Sequence, residues 1–244
     1  MENTEIIILA AGKGTRMGSE LPKCLLPVRG IPMIERLLTN ISKSLYNKAL
    51  MVVGHRSDDI KNALGDRVRY THQLEQKGTA HATLTALDAL LPNTDSLIVL
   101  YGDHPFVSNA TIDNLISGLS KHKIVIGISD AGDYGDWKSV LKHYGRIIYN
   151  DSGTIDGVIE YKDANDEIRM ISHVNCGYYA FDRAWLKSAL LKVKPLNSQG
   201  EYYLTDVVRI ARDDRMSIGH IMVDPFEALG LNSREDVAHA EKLM

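Results

Sequence analysis

The chain has 244 residues, 28 Lys and Arg against 31 Asp and Glu, and a formal charge of −3. The near balance excludes a broad basic nucleic-acid surface while allowing a local basic pocket, and the length suffices for a large core in one domain. Cys24 and Cys176 lie far apart and outside any Cys-x-x-Cys pair, so they give neither a disulfide framework nor a zinc site. No apolar run approaches the roughly 18 residues of a membrane span, and no signal-peptide pattern opens the chain. A cytoplasmic protein without nucleic-acid or membrane partners is expected.

Ile6-Ile7-Ile8-Leu9 reads as a strand buried on both faces, and it empties into Ala10-Ala11-Gly12-Lys13-Gly14-Thr15-Arg16-Met17-Gly18, then Leu21-Pro22-Lys23. Glycines let backbone N–H groups approach a polyanion, and Lys13, Arg16 and Lys23 add positive charge, so this loop is a candidate phosphate cradle. It is neither of two common loops. Met17 stands where the dinucleotide fingerprint needs its third glycine, and Gly12 lacks the partner that a P-loop requires.

Pro32 to Leu38 and Ile41 to Leu45 show helical spacing, with Pro32 suited to a first turn. Ala49 to Val53 is the next predicted strand, Ser57 caps a helix to about Leu64, and Val68 to Thr71 forms a further strand. The spacing then predicts a helix from Thr79 to Leu91, a central strand over Ser96 to Leu100, a Ser108-capped helix to about Leu119, and a strand over Ile124 to Ile128. This alternation predicts an α/β, Rossmann-like, mainly parallel sheet with helices on both faces. Ligands bind such sheets outside the carboxyl ends of the strands, so the loop from Gln73 to Gly78 should meet the first one.

In the second half, Arg146 to Tyr149 and Gly157 to Glu160 flank the turn Asn150-Asp151-Ser152-Gly153 and predict a hairpin. Ile168 to His173 and Gly177 to Phe181 read as strands, giving a mixed sheet whose antiparallel additions lie near an edge. Ala184 to Val193 and Tyr203 to Arg212 read as helices, Met216 to Val223 as a strand, and Ser233 caps a final helix over about 233–244. A single domain over 1–244 is expected.

Asp103 directly follows a buried strand, where a rigid backbone fixes a carboxylate and an open turn admits a metal; Asp-His-Pro equally makes an ordinary turn. Glu160 ends a strand with Lys162 nearby as an ion-pair partner, Asn175 suits a turn before Gly177, and Asn232 suits the start of a helix. The histidines at 55, 72, 104, 173 and 220 lack metal-ligand spacing. No nucleophile elbow or triad stands out, and phosphate chemistry needs none. A phosphate monoester, with a second pKa of about 6, is largely dianionic at pH 7 and attacks without a general base. Such a reaction needs charge neutralisation and alignment, which Lys23, Arg16, the loop amides and a metal on Asp103 would supply.

Taken in order, Leu9 to Met17, Leu21-Pro22-Lys23, Gln73 with Glu75 to Ala82, Tyr101-Gly102-Asp103, Tyr144 to Ile147, Glu160 to Ala164, Asn175-Cys176-Gly177, Gly200 to Asp206 and Gly230-Leu231-Asn232 form a set. It resembles the sugar-nucleotide pyrophosphorylases along almost the whole chain. Within them it is most similar to the uridylyltransferase domain of the bacterial bifunctional N-acetylglucosamine-1-phosphate uridylyltransferase/glucosamine-1-phosphate acetyltransferase. The resemblance implies the nucleotide-diphospho-sugar transferase fold and a reaction in which N-acetylglucosamine 1-phosphate attacks the α-phosphorus of UTP, giving UDP-N-acetylglucosamine and pyrophosphate. It implies that Leu9, Ala10, Ala11, Gly12, Gly14, Thr15, Gln73 and Gly78 hold the nucleotide, Gln73 reading the uracil edge. Arg16, Lys23 and Asp103 would be catalytic, the two cations contacting phosphates. Thr79, Tyr101, Gly102, Gly145, Glu160 and Asn175 would surround the sugar, and Asp103 and Asn232 would coordinate Mg2+.

Three departures qualify what the resemblance implies. Bifunctional members continue into a left-handed β-helix that transfers acetyl groups, whereas this chain stops after its final helix, so acetyltransferase activity is not expected. Ser129 to His143 is several residues longer than its usual counterpart and leads into Gly145, which leaves the sugar open. His104 stands beside Asp103 where a small apolar residue is commoner, and Cys176 sits beside Asn175. The alternatives are the same chemistry with another nucleoside triphosphate or phosphorylated sugar or alcohol, and a non-catalytic nucleotide-sugar-binding regulator.

Overall fold

The computed structural model describes residues 3–12, 14 and 17–244. In chain order the elements are β1 (Thr4–Ala10), a 3-10 turn at Lys23–Leu25, the short pair β2 (Pro27–Val28) and β3 (Ile31–Pro32), α1 (Met33–Lys43), β4 (Ala49–Val53), α2 (Ser57–Leu64), β5 (Arg69–His72), α3 (Thr79–Leu87), β6 (Ser96–Tyr101), α4 (Asn109–Gly118) and β7 (Ile124–Asp130). There follow β8 (Arg146–Tyr149), β9 (Ile155–Ile159), the single turn α5 (Asp166–Arg169), β10 (His173–Asp182), α6 (Arg183–Leu190), α7 (Asp206–Asp213), β11 (Ile218–Met222) and α8 (Arg234–Leu243).

Among the described residues the main sheet runs β11-β7-β10-β6-β1-β4-β5, with the β8–β9 hairpin joined through β8 to β10. Neighbours pair in parallel except around β10, which is antiparallel to both β6 and β7, and in the hairpin. The predicted antiparallel additions therefore do not gather at an edge. β10 lies between β6 and β7, and eight of its ten residues are buried, as a strand covered on both faces demands.

Alternation along the central strands explains the layers. Ile6 and Ile8 on β1 join Met51, Val53, Ile98 and Leu100 on the face covered by α1, α2 and α4. Ile7 and Leu9 join Leu50, Val52, Leu97 and Val99 on the face covered by α3, α6 and α7. A run such as Ile6 to Leu9 is apolar without interruption because each face has its own helical layer, and full burial of each such side chain contributes roughly 1.5–3 kcal/mol relative to exposure.

Several local expectations shift for identifiable reasons. Pro32 sits at the N-cap of α1 instead of in its first turn, and α2 starts after Arg56 in a left-handed conformation without a side-chain cap from Ser57. α3 ends at Leu87 instead of Leu91. There the buried Glu5 carboxylate accepts from the Leu91 amide at 2.6 Å and from the Thr94 hydroxyl, while Arg183 donates to the Leu87 and Leu91 carbonyls. Side-chain partners thus replace helical ones for the backbone. Ile168 to His173 is no strand up to His173, because Asn165 accepts from the Ile168 amide at 2.8 Å and caps α5. Ser108 and Ser233 cap their helices as predicted, the latter in a capping box with Asp236.

Candidate active site

A cavity of about 720 Å³ opens at the carboxyl ends of β1, β5 and β6. It is lined by Leu9, Ala10, Ala11, Gly12 and Gly14 from the β1 end, Gln73 and Gly78 after β5, Thr79 on α3, Tyr101, Gly102 and Asp103 at the β6 end, and Lys23 and Asn232. Strand order accounts for the convergence. β1 pairs with β6 on one side and β4 on the other, β4 pairs with β5, and all four run parallel, so their ends discharge loops on one side of the sheet. Thr15 and Arg16 lie outside the described residues.

The floor of the cavity is polar. Lys23 Nζ forms an ion pair with Asp103 Oδ2 and donates to Asn232 Oδ1 at 2.8 Å. The Leu231 amide donates to the Asp103 carbonyl at 3.0 Å, tying the loop before α8 to the end of β6. Burial alone would raise the Asp103 pKa, but the adjacent Lys23 ammonium outweighs it and holds the carboxyl below its ordinary range. His104 is buried behind this group, and desolvation lowers its pKa to about 4, keeping it neutral at pH 7. Tyr178 donates its hydroxyl proton to the Glu227 carbonyl at 2.5 Å, so the His104 contact at 3.1 Å is donated by Nδ1–H. Both thiols are unsuited to nucleophilic roles. Burial, reinforced by Asp103, pushes the Cys24 pKa up to about 12, and burial raises that of Cys176.

The donor set suits a hard divalent cation. Asp103 supplies a carboxylate oxygen and Asn232 a carboxamide oxygen, and both already converge on one cation, the Lys23 ammonium. No cluster of three or more His, Cys, Asp or Glu with metal-site geometry occurs among the described residues. Mg2+ is commonly held by one or two protein oxygens and completed by substrate phosphate and water, so two ligands fit it.

The remaining predicted residues do not line the cavity but form an adjoining group. The Asn175 amide donates to the Gly145 carbonyl at 2.9 Å, and a Cβ placed on Gly145 would come within 3.4 Å of Glu160 Oε2. Thr205 donates to Glu160 Oε1 at 3.0 Å, while its neighbour Leu204 donates its amide to Thr79 Oγ1 at 2.9 Å. That segment links the group to the cavity wall. Burial raises the Glu160 pKa above the ordinary carboxylate value, against the opposing Thr205 hydrogen bond. The β10–β7 register shifts between Asn175 and Tyr179, and Gly177 at φ +78° lets this irregular stretch close on Tyr101, whose ring would lie 2.7 Å from a Cβ.

Gln76, Cys24, Ala82 and Glu201 also line the cavity, although the sequence reading gave them no role. Their signal was position within, or directly beside, the ordered blocks. Gly78 shows why such a block tolerates little change. Its φ is +114°, and a Cβ would lie 2.5 Å from the Tyr202 carbonyl oxygen.

Two solved structures share this architecture. UDP-glucose pyrophosphorylase complexed with UDP-glucose superposes with a TM-score of 0.76 at 19% identity, covering 98% of this chain and 97% of that one. The 4-diphosphocytidyl-2C-methyl-D-erythritol synthase of Anaerococcus prevotii superposes with a TM-score of 0.67 at 20% identity and the same coverage. The fold is thus that of the nucleotide-diphospho-sugar transferases. A model of the MobA-like NTP transferase domain matches residues 6–173, and the chain belongs to that family. Bifunctional protein GlmU of Streptococcus agalactiae serotype V is 38% identical over 239 residues, 98% of this chain and 51% of that protein. Its counterpart from Heliobacterium modesticaldum is 38% identical over 250 residues, 100% of this chain and 52% of that protein. The chain spans about half the length of these curated relatives, and the likeness runs along its whole extent, as the ordered blocks implied. No helix among the described residues is long and apolar enough to cross a membrane.

Proposed function

We propose that this chain, acting as one nucleotidyltransferase domain, condenses UTP with N-acetylglucosamine 1-phosphate to give UDP-N-acetylglucosamine and pyrophosphate, with Mg2+ as cofactor. The observation that carries the reading is the Lys23 ammonium gripped by Asp103 and Asn232 at the floor of a cavity fed by the β1 glycine loop. The likeness to relatives named bifunctional protein GlmU, together with the ordered sequence blocks, supports this choice of substrates.

An oxygen of the sugar phosphate forms the new bond to the α-phosphorus of UTP as the bond to pyrophosphate breaks. The nucleophile, already dianionic at pH 7, needs no base, consistent with a neutral His104 and two protonated thiols nearby. Lys23 reduces repulsion between the two anions and balances charge on the departing pyrophosphate. Glycine-loop amides hold the triphosphate in line, and Gln73 contacts the base. Glu160 and Asn175 accept and donate hydrogen bonds at the sugar hydroxyls. Asp103 and Asn232 would hold Mg2+, which when bound supplies charge neutralisation of the phosphates.

Pyrophosphate release measured across four nucleoside triphosphates and a panel of sugar 1-phosphates tests this reading. The expected result is turnover confined to UTP, greatest with N-acetylglucosamine 1-phosphate. A second reading, the same chemistry on a different phosphorylated sugar or alcohol, is favoured by the long segment from Ser129 to His143, which leads into Gly145 and would appear as preference for another acceptor. Nucleotide binding without pyrophosphate release for any pair would identify a regulator and overturn both.

A further inference from the structure

Gln73 is only 3% exposed, yet it lines the cavity, and the hydrogen bonds of its carboxamide are unequally distributed. Nε2 lies 3.2 Å from the Gly78 carbonyl oxygen and 2.9 Å from His81 Nδ1. The Gly78 carbonyl can only accept, so the amide atom facing it is the NH2, and His81 Nδ1 receives the second N–H. His81 in its neutral form therefore carries its proton on Nε2. Gln73 Oε1 receives no hydrogen bond among the described residues, and the residue lines the cavity.

Both donors of this carboxamide are thus consumed by protein, and what it offers a ligand is an acceptor. Turning it over would set Oε1 against the Gly78 carbonyl, which cannot donate, and would require His81 to move its proton from Nε2 to Nδ1. The backbone on either side is held as well. The Gln73 amide donates to the Val53 carbonyl at 2.8 Å, Gln76 Nε2 donates to the Gln73 carbonyl at 3.2 Å, and His81 stands in the first turn of α3 beyond the constrained Gly78.

We propose that His81 is a positioning residue that fixes the Gln73 carboxamide with its oxygen toward the nucleotide, so that the site selects a pyrimidine whose ring N3 carries a proton over cytosine, whose N3 is an acceptor. The inference rests on the reading that Gln73 faces the base. It assigns His81 no contact with substrate. Its effect is on the orientation of one amide, and hence on discrimination between bases more than on the chemical step.

Calorimetric titration of the chain with UTP and with CTP, each in the presence of Mg2+, tests the proposal through the ratio of the two dissociation constants. His81→Leu should shrink the preference for UTP by about threefold to tenfold, the range that loss of one neutral hydrogen bond supports. His81→Asn, which keeps an acceptor near the same place, should retain most of it. His81→Phe serves as a second acceptor-free variant if His81→Leu loses its native circular dichroism. An unchanged ratio in the acceptor-free variants, or equal weakening of both nucleotides, would overturn the positioning role. Gln73→Leu separates the two layers. If it abolishes the preference while His81→Leu does not, base reading stands and the His81 inference falls; if it leaves the preference intact, the base reading itself falls.

Discussion

Along the parallel half of the sheet, β1, β5 and β6 deliver Ala10 to Gly12, Gly14, Gln73 and Tyr101 to Asp103 to the cavity from three strand ends. Along the other half, Asn175 comes from within β10, Gly145 from the residue before β8, and Glu160 from the residue after β9. The first group is fixed by strands hydrogen-bonded to one another in register. The second is fixed by an irregular register in β10, by the hairpin attached to it and by Thr205 on the chain entering α7. The difference teaches that, in the proposed reading, the residues assigned to phosphate chemistry stand at the ends of regularly paired parallel strands, while those assigned to the acceptor stand on irregular and hairpin segments.

The sharpest way to test this division is to remove charge on the rigid side. Lys23→Ala and Asp103→Ala should each lower turnover by about 10²-fold or more, as loss of a preorganised electrostatic stabiliser does. Pyrophosphate release under saturating substrates measures it, and near-normal turnover in both variants would remove the ion pair from the mechanism.

A smaller and more selective effect is expected on the other side. Glu160→Gln preserves shape and the Thr205 contact but removes an anionic acceptor, so KM for the sugar 1-phosphate should rise about tenfold, within the range for hydrogen bonds to charged groups, with KM for UTP unchanged. Equal rises in both constants would show that the two halves are not functionally separate.

The smallest expected effect is on acid stability. Lys23 holds the folded Asp103 pKa below its ordinary 3.8 despite burial, so the pair adds stability above that value and loses it as pH falls through the lower folded value. The Tm difference between the wild type and Asp103→Asn should therefore be present at neutral pH and narrow as pH drops below 3.8. A constant difference across that range would mean that ionisation of Asp103 does not contribute to folding.

Much of this molecule was legible in local pattern. The apolar runs at β1, β4, β6 and β7 bounded by glycine, aspartate or asparagine marked the strands, and Ser108 and Ser233 marked two helix starts because a cap acts on the backbone within three residues. The end of α3 was not legible, since Glu5 and Arg183, which take over its backbone groups, lie 86 and 92 residues from Leu91. Nor was the turn of α5, where Asn165 outweighed an apolar spacing that suited a strand.

By itself the sequence determined the glycine-rich loop after β1 and most of the order of strands and helices along the chain, because these depend on neighbours and on periodicity. Only the tertiary structure decided that β10 enters the middle of the sheet, that Lys23 is shared by Asp103 and Asn232, and that His81 holds Gln73 by one edge. Lys23 reaches partners 80 and 209 residues away, and all three depend on strand register or the direction of individual side chains. Sequence spacing carries neither.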